Sequence, residues 1–370
     1  MDIRTKLIFA FVTITLGSMF VLGTLFYRAS SEILQSISAR QLDSLAAARQ
    51  QDLKIVAQGW FDQVRLISSR TKLRNSLKQY AESPTDELRD TMQRILRDAQ
   101  LAVGTVTRVT LYDTDNKLVA KSGVAESPLQ QVMQQTTQHA RDDVQFGNFH
   151  IRKDGGVDAR ILARLELNSE FIGSLETVVN TDSLIVIAGN YTGLGPSGEL
   201  YLVVETTPGW ITVLNPLRHR VADGLLSYPK SEAPEHVLAA LNQVETVFRD
   251  AIDYRGIRVW AATRYLSAVS GALIVKIDED VELAQVRELR KELIDVALAL
   301  AAFAVLGGAL MGFHLSRPLR KVAAVVDRIR QGDRDARVEV SGEDEVSFLA
   351  QSINELMDDL QRELVEKTDD

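Results

Sequence analysis

The sequence predicts an α+β protein, with two mixed α/β modules in tandem on a long N-terminal helix between two membrane-spanning helices. Two apolar runs lie near the ends of the chain, alternating apolar residues between them form two series of short strands, and heptad-like spacing follows the second run. The 370 residues include no cysteine, which excludes disulfides and thiolate metal sites. The net charge of −8, without a basic stripe, argues against nucleic-acid binding.

Residues 7–27 and 294–315 are the two predicted transmembrane helices. The first run contains no charged residue, and Val296–Leu315 of the second has only His314 as an ionisable group. A helix needs about 20 apolar residues to cross a hydrocarbon core roughly 30 Å thick. Two alternatives stay open: the first run as a cleaved signal peptide, and the second as a buried helix of a soluble domain.

Basic residues beside the two runs indicate the orientation in the membrane. They precede the first run and follow the second: Arg4, Lys6, Arg317, Arg320 and Lys321. Because segments rich in Lys and Arg stay in the cytoplasm, both termini are expected there, with residues 1–6 as a short cytoplasmic segment. Residues 28–290 are then expected outside the membrane.

The outer region opens with a long helix, predicted over residues 30–80. Its apolar residues recur at spacings near multiples of three and four: Leu34, Ile37, Leu45, Leu53, Val56, Trp60, Val64 and Ile67. No proline interrupts the pattern up to Ser69, and about 45 helical residues would extend about 65 Å. A set of shorter helices is the alternative.

Two series of alternating apolar residues predict a distal module over about residues 104–180 and a proximal module over about 192–278. The first series follows a helix at Asp86–Val103 and comprises strands at Thr105–Asp113, Lys117–Ser122, Val144–Ile151, Asp158–Leu167 and Phe171–Val179. The second follows a linking helix at Asp182–Tyr191. It comprises a helix at Glu235–Phe248 and strands at Glu199–Val204, Trp210–Leu214, Ile252–Tyr254, Ile257–Tyr265 and Gly271–Ile277.

Four stretches between the two spans carry a family resemblance. They are RVTLYDTDNKLVAKSG, YTGLGPSGELYLV, DYRGIRVWAATRYL and GALIVKIDEDVELAQVRELR. The first is similar to the distal hairpin of a double Cache sensor domain, the second to the opening of its proximal module, and the others to its last hairpin and exit helix. The resemblance implies two PAS-like modules, a small periplasmic ligand and a multi-pass receptor of the bacterial inner membrane. GLGPSG is interpreted as a turn, because Gly198 is followed by Glu199 and a strand, not by the Lys of a phosphate loop.

Residues 316–365 show two helical patterns joined by an extended connector. The first helix is predicted to open at Pro318-Leu319 and to break at Gly332-Asp333, and the second to open at Asp344-Glu345. Heptad-like apolar seams in both need a partner to be buried. The stretch resembles a HAMP linker, which implies a homodimer through the long helix, the spans and a four-helix bundle; an ordinary helical hairpin is the alternative. The relay residues are then Pro318, Leu319, Gly332, Asp344, Glu345, Leu349, Asn354 and Met357.

Ligand contacts are expected in the distal module, where double Cache proteins usually bind. A subgroup binds amino acids through a Tyr, an Arg-x-Trp-Tyr group, a further Tyr and an Asp just after the last distal strand, a place that Asp182 occupies here. No Arg-x-Trp-Tyr string occurs between Tyr112 and Asp182, so recognition of that type is not expected. Tyr112, Arg160, Arg164 and Asp182 are the candidate ligand residues, and Arg suits a carboxylate through two parallel bonds. Asp182 as a cap of the linking helix is the favoured alternative.

Nothing in the sequence predicts catalysis. The five histidines are scattered without metal-ligand spacing, and neither a nucleophile motif nor a phosphate-binding loop occurs. We therefore expect no enzyme, cofactor or metal site, but a receptor in the lipid bilayer that relays an unknown small ligand to a cytoplasmic output of the kinase, cyclase, phosphatase or chemotaxis type. Residues 366–370 begin such an output or a tail, so the sequence is expected to be a piece of a longer receptor or a stand-alone module. The alternative function is a membrane-anchored module whose outer domain binds a partner protein.

Overall fold

The computed structural model of the chain describes residues 3–123, 143–152, 154–220, 224–340, 342 and 344–366. It contains long helices and two separate antiparallel sheets, which confirms the predicted α+β class. The chain forms two compact units. One is Leu34–Ala284, which holds both sheets, and the other combines Met1–Ile33 with Gln285–Asp370, which hold the two apolar runs and the C-terminal helices.

Helix α1 (Ile3–Ser68) runs without a break from the first apolar run into the segment between the two runs, and α2 (Thr71–Glu82) follows it. The single helix predicted over residues 30–80 is therefore wrong in one respect, because the chain breaks between Ser68 and Thr71. The break has a packing reason. Ile67 and Leu73 are both buried in the same core, yet six residues at 100° each would place them about 120° apart on one straight helix.

In its described residues, the distal module contains α3 (Asp86–Ala102) and a five-stranded sheet. Its strands are β1 (Val106–Tyr112), β2 (Leu118–Gly123), β3 (Val144–Ile151), β4 (Val157–Leu167) and β5 (Glu170–Asn180). They lie in the order β2-β1-β5-β4-β3, with every neighbouring pair antiparallel. Alternate residues of β4 enter the core shared with the helices: Val157, Ala159, Ile161, Ala163 and Leu165. The residues between them therefore point to the opposite face of the sheet.

The proximal module follows the short helix α4 (Asp182–Ala188) and has six strands and helix α5 (Glu235–Leu241). Its strands are β6 (Glu199–Thr207), β7 (Trp210–Val213), β8 (Ser227–Pro229), β9 (Val247–Ile252), β10 (Arg258–Leu266) and β11 (Gly271–Asp278), in the order β8-β7-β6-β11-β10-β9.

Two sequence predictions in the proximal module are wrong. The helix predicted over Glu235–Phe248 ends at Leu241, and the strand predicted at Ile252–Tyr254 lies earlier, at Val247–Ile252. Pairing with β10 decides both, because backbone bonds to a neighbouring strand outweigh a weak local helical preference.

Short helix α6 (Glu279–Glu282) is followed by α7 (Ala284–Arg330) and then by α8 (Glu345–Glu366). Helices α1 and α7 each contain a stretch long and apolar enough to cross a membrane, and these stretches are 0% and 11% buried inside the protein. A core helix of a soluble domain would be mostly buried, so the exposure favours the membrane interpretation. The two stretches meet at Gly308, where an added Cβ would lie 3.3 Å from Cδ1 of Phe11.

Candidate functional site

The face of the distal sheet that points away from the helices carries a buried cluster of charged residues around Glu176. Glu176 is 3% exposed, and Nη2 of Arg108 donates to its Oε1 over 2.8 Å. Nε of Arg160 lies 3.4 Å from the same oxygen, and the hydroxyl of Tyr112 donates to Oε2 over 3.5 Å. One carboxylate is thus shared by two guanidinium groups and a phenol.

Register explains why these residues meet. β5 lies between β1 and β4, and the pairs Thr110–Glu176 and Leu162–Glu176 set Glu176 level with both neighbouring strands. Residues two positions apart on a strand share a face, so Arg108 and Arg160 flank the carboxylate diagonally. Burial raises the pKa of Tyr112 to about 12, and the charge of Glu176 adds to the effect. The phenol is therefore a neutral donor at physiological pH.

A cavity of about 190 Å³ opens beside this cluster. Its polar lining consists of Arg108, Arg152, Arg160, His150 and Asp158, and Thr107 and Val178 complete it. Nη1 of Arg152 holds Oδ1 of Asp158 at 2.5 Å. Burial raises the pKa of the Asp158 carboxyl, and the charge of Arg152 opposes that rise.

Arg160 is the least satisfied group of the cavity. It is 3% exposed, and its Nε and Nη1 form no hydrogen bond with the residues that the structure describes. A buried donor without an acceptor costs about 1–3 kcal/mol, and more when it is charged. Such an atom at the wall of a cavity is suited to bind an acceptor that enters from outside.

The structure brings two of the four candidate ligand residues together and separates the others. Tyr112 and Arg160 meet at Glu176, whereas Arg164 donates to Glu166 over 2.7 Å and stacks on the ring of Phe171. Asp182 is exposed in the first turn of α4 and is not among the described residues that line the cavity. The N-cap position of α4 is Thr181, so Asp182 is the first residue of the helix and not its cap, as the alternative interpretation had it.

Four charged residues of this site were not predicted from the sequence: Arg108, Arg152, Asp158 and Glu176. A usable signal existed for two of them. Arg108 and Tyr112 stand four residues apart on one strand and share its face, and Glu176 interrupts an otherwise apolar strand. No local pattern points to Arg152 and Asp158, because they meet only through the turn between β3 and β4.

A second buried charge cluster lies in the proximal module, around the fully buried Lys276. Its Nζ contacts Oδ2 of Asp253 and lies 3.0 Å from Oε2 of Glu199. The hydroxyl of Tyr254 donates to both oxygens of Glu199, and the Lys276 ammonium lies 4.5 Å from the centre of the Tyr254 ring.

The carboxylates of this cluster are all paired. Burial raises the pKa of the Asp253 carboxyl, but hydrogen bonds from Lys276 and Arg255 outweigh it and hold the pKa below its usual range. Arg255 also contacts Asp278 at the end of β11. The cluster therefore fixes the turn after β9 against the last strand.

The C-terminal helices and their connector form a compact hairpin. Gly332, with a φ of +101°, follows the end of α7, and Asp344 caps α8 by accepting from the backbone N–H of Ser347 over 2.9 Å. Asn354 accepts from the N–H of Val338 and donates to its carbonyl, both over 2.8 Å, which ties the connector to α8. Pro318 lies inside α7 instead of at a helix start, so that boundary was predicted wrongly.

Residues 310–362, which span this hairpin, match the family described as HAMP domain. The chain carries a HAMP domain. Its small core contains Val322, Val338 and Ala350, with Val325, Val346 and Ile353 packed against them. Within the HAMP domain, Leu319 is half-buried, Glu345 stands in the first turn of α8 and Met357 is buried, whereas Leu349 is 44% exposed.

Ligand-binding domains of bacterial chemoreceptors are among the solved structures similar to this chain. They include that of Campylobacter jejuni Tlp3 in complex with L-norvaline (11% identity, TM-score 0.49, 68% of this chain and 94% of that one). The domains of Pseudomonas aeruginosa PAO1 PctC with GABA (12%, 0.44, 65% and 100%) and Pseudomonas fluorescens CtaA with L-serine (13%, 0.45, 66% and 99%) are also similar. These scores are too low to transfer a ligand to this chain. No curated protein matches it.

Proposed function

We propose that the chain is a homodimeric receptor of the bacterial inner membrane. It senses a small periplasmic molecule in the distal module and passes the change through its second span to the HAMP domain. The observation that carries the proposal is the continuity of α7. This single helix of 47 residues contains both the second apolar stretch and the first helix of the HAMP domain. A rotation or shift of the span therefore moves the HAMP helix directly.

A single chain leaves the apolar seam of α8 uncovered. Leu349, Leu356 and Leu360 follow one another at spacings of seven and four residues, and each is at least 44% exposed. Burying such a seam requires further helices, and two copies of the HAMP hairpin supply a four-helix bundle. Helix α1 also has uncovered apolar residues on one face, because Ile37 and Ile55 are exposed and lie five turns apart.

The cavity in the distal module supports a small ligand over a partner protein as the signal. A ligand that binds one arrangement of the module better than another shifts the equilibrium between two states of the dimer. Such coupling amounts to about 1–3 kcal/mol in typical proteins, which is enough to repack a bundle with two arrangements of similar energy. Pro318, which cannot donate a backbone hydrogen bond inside α7, marks the place where the helix bends most easily. The recipient of the signal is a cytoplasmic output of the kinase, cyclase, phosphatase or chemotaxis type.

The absence of cysteine allows a direct test with single introduced cysteines. In native membranes, Leu356→Cys is expected to form a disulfide-linked dimer on mild oxidation. Gln351→Cys is the matched control, because this exposed residue lies about 140° around the same helix. Equal cross-linking at both positions, or none at either, would contradict the HAMP dimer.

The same introduced cysteines test the topology and the relay. A membrane-impermeant thiol reagent added to intact cells should not reach Leu356→Cys but should label Leu101→Cys, since Leu101 is 77% exposed in the outer region. Labelling in the reverse order would overturn the orientation. A small molecule that stabilises the receptor should also change the rate of cross-linking at Leu356→Cys, and an unchanged rate with such a ligand bound would refute the relay.

A further inference from the structure

The distal cavity has an excess of positive charge. Three arginines line the cavity: Arg108, Arg152 and Arg160. Two carboxylates oppose their charge, those of Asp158 and Glu176. Asp158 is held by Arg152, and Glu176 is held by Arg108, so each carboxylate already has a guanidinium partner at 2.8 Å or closer. Arg160 is the least closely paired of the three, because its Nε lies 3.4 Å from the Glu176 oxygen that Arg108 already holds at 2.8 Å.

The geometry of Arg160 leaves donors for a ligand. Its Nε lies 3.4 Å from Glu176, outside good hydrogen-bond geometry, and its Nη1 is buried without an acceptor in the described part of the chain. An Arg side chain offers parallel donors that match the two oxygens of a carboxylate, and such charged pairs are about twice as strong as neutral hydrogen bonds. The cavity wall is therefore built for an anion.

Among the described residues, neither carboxylate at the cavity is free of a competing guanidinium. A ligand ammonium requires a carboxylate with unused acceptor capacity and no competing cation. Both carboxylates here already accept from arginines, and Asp182 is exposed away from the lining residues. An ammonium placed in the cavity would instead meet three guanidinium groups, and like charges at close range repel.

We propose that the distal cavity binds a small organic carboxylate that carries no ammonium group, with the Arg160 guanidinium holding the carboxylate oxygens and Arg108 beside it. The proposal rests on the proposed sensor function and names its ligand class. The size agrees with a small acid, because a water molecule takes up about 30 Å³ and the cavity of about 190 Å³ is equivalent to roughly six of them. His150 and Thr107, which also line the cavity, supply further polar contacts for the ligand.

The test compares isosteric probes on the full chain in lipid nanodiscs by thermal unfolding and calorimetry. Propionate and succinate carry the proposed group, propionamide has no charge, and L-alanine adds an ammonium to the propionate frame. Inorganic phosphate tests a different anion. We expect propionate or succinate to stabilise the protein, and propionamide, L-alanine and phosphate to have at least tenfold weaker effects, which corresponds to about 1.4 kcal/mol.

Variants assign the effect to Arg160. Arg160→Gln is expected to weaken carboxylate binding by tenfold or more, and Arg160→Lys, which keeps the charge but not the paired donors, by an intermediate factor. Arg164→Gln is the matched control on the same strand, because its guanidinium is held by Glu166 and Phe171, and binding should be unchanged. If Arg160→Gln does not fold, Arg160→Lys and the comparison of isosteres on the unmodified chain decide the question.

Four outcomes separate the two proposals. Preferential binding of L-alanine, propionamide or phosphate would overturn the carboxylate class but keep the sensor function. Carboxylate binding that survives Arg160→Gln would overturn the assignment of the site. If the carboxylate probes do not bind while another small metabolite stabilises the chain, the proposed ligand class is wrong and the sensor function stands. If no small molecule of any class stabilises the chain, both the sensor function and the carboxylate ligand class are wrong.

Discussion

Replacing His236 by glutamine is expected to remove much of the acid sensitivity of the proximal module. His236 is 1% exposed, and its Nε2 lies 2.9 Å from the hydroxyl of Tyr201. Its Nδ1 has no hydrogen-bond partner among the described residues. Burial first, and the nearby Lys276 charge second, lower the pKa of His236 from 6.5 to about 4, while the charge of Asp253 opposes the shift.

The sign and size of the effect follow from linkage. Well above a pH of 6.5 the histidine is neutral in both the folded and the unfolded chain, so it does not alter the free energy of unfolding. As the pH falls from 6.5 toward 4, the unfolded chain binds a proton that the folded chain does not, and folding loses stability. Between about pH 7.5 and pH 5 the loss from this residue is about 2 kcal/mol, at about 1.4 kcal/mol for each pH unit.

Urea unfolding at the two pH values, followed by tryptophan fluorescence, measures this difference in the full chain. Wild type should lose about 2 kcal/mol more on acidification than His236→Gln, whose amide still bonds to Tyr201 but does not titrate. His219→Gln, a half-buried histidine of the same module, is the control and should behave as wild type. If His236→Gln and wild type lose equal stability between the two pH values, the burial argument is refuted.

Three further changes test the packing of other regions. Gly308→Leu should destabilise the packing of the two spans by about 1–3 kcal/mol, because the side chain of Phe11 leaves no room for a larger residue. Gly307→Leu is the control, since an added side chain there meets open space and should cost little. Thermal unfolding of both variants in nanodiscs measures the difference. Asn354→Ala should cost the HAMP domain about 1–3 kcal/mol, because it leaves backbone groups of the connector unpaired, and the exposed Gln351→Ala about none. Backbone hydrogen exchange in the connector should be faster in Asn354→Ala than in Gln351→Ala, and equal exchange in the two variants would contradict the prediction. Lys276→Met should cost about 3–5 kcal/mol by removing the cationic partner of the buried Glu199 carboxylate, and an unchanged urea midpoint would rule that out.

Patterns of short period predicted most of the elements. Within the described part of the chain, alternation located nine of the eleven strands to within a few residues, and uninterrupted apolar length located the two candidate spans. These features depend on neighbours along the chain, so they are readable without tertiary contacts. The errors lie where distant residues decide. Pairing with β10 converts the end of a predicted helix into β9, and shared burial of Ile67 and Leu73 breaks the long helix.

In the candidate site, too, local patterns predicted single residues but not the contacts between distant strands. Tyr112 and Arg160 were predicted from residue type and position, but nothing local indicates that they share a carboxylate on β5. Asp182 occupies the expected place in the sequence, yet its side chain faces solvent because the turn after β5 begins α4 with Thr181 as its cap.

The sequence by itself determined that this chain has two membrane-length helices, two small α/β modules and a HAMP domain, because each is encoded in a repeating local pattern. Only the tertiary structure decided which charged residues form the cavity. The strand order β2-β1-β5-β4-β3 places Glu176 between β1 and β4, strands far apart in the chain. That order minimises the free energy of the whole packed module, and no single segment specifies it.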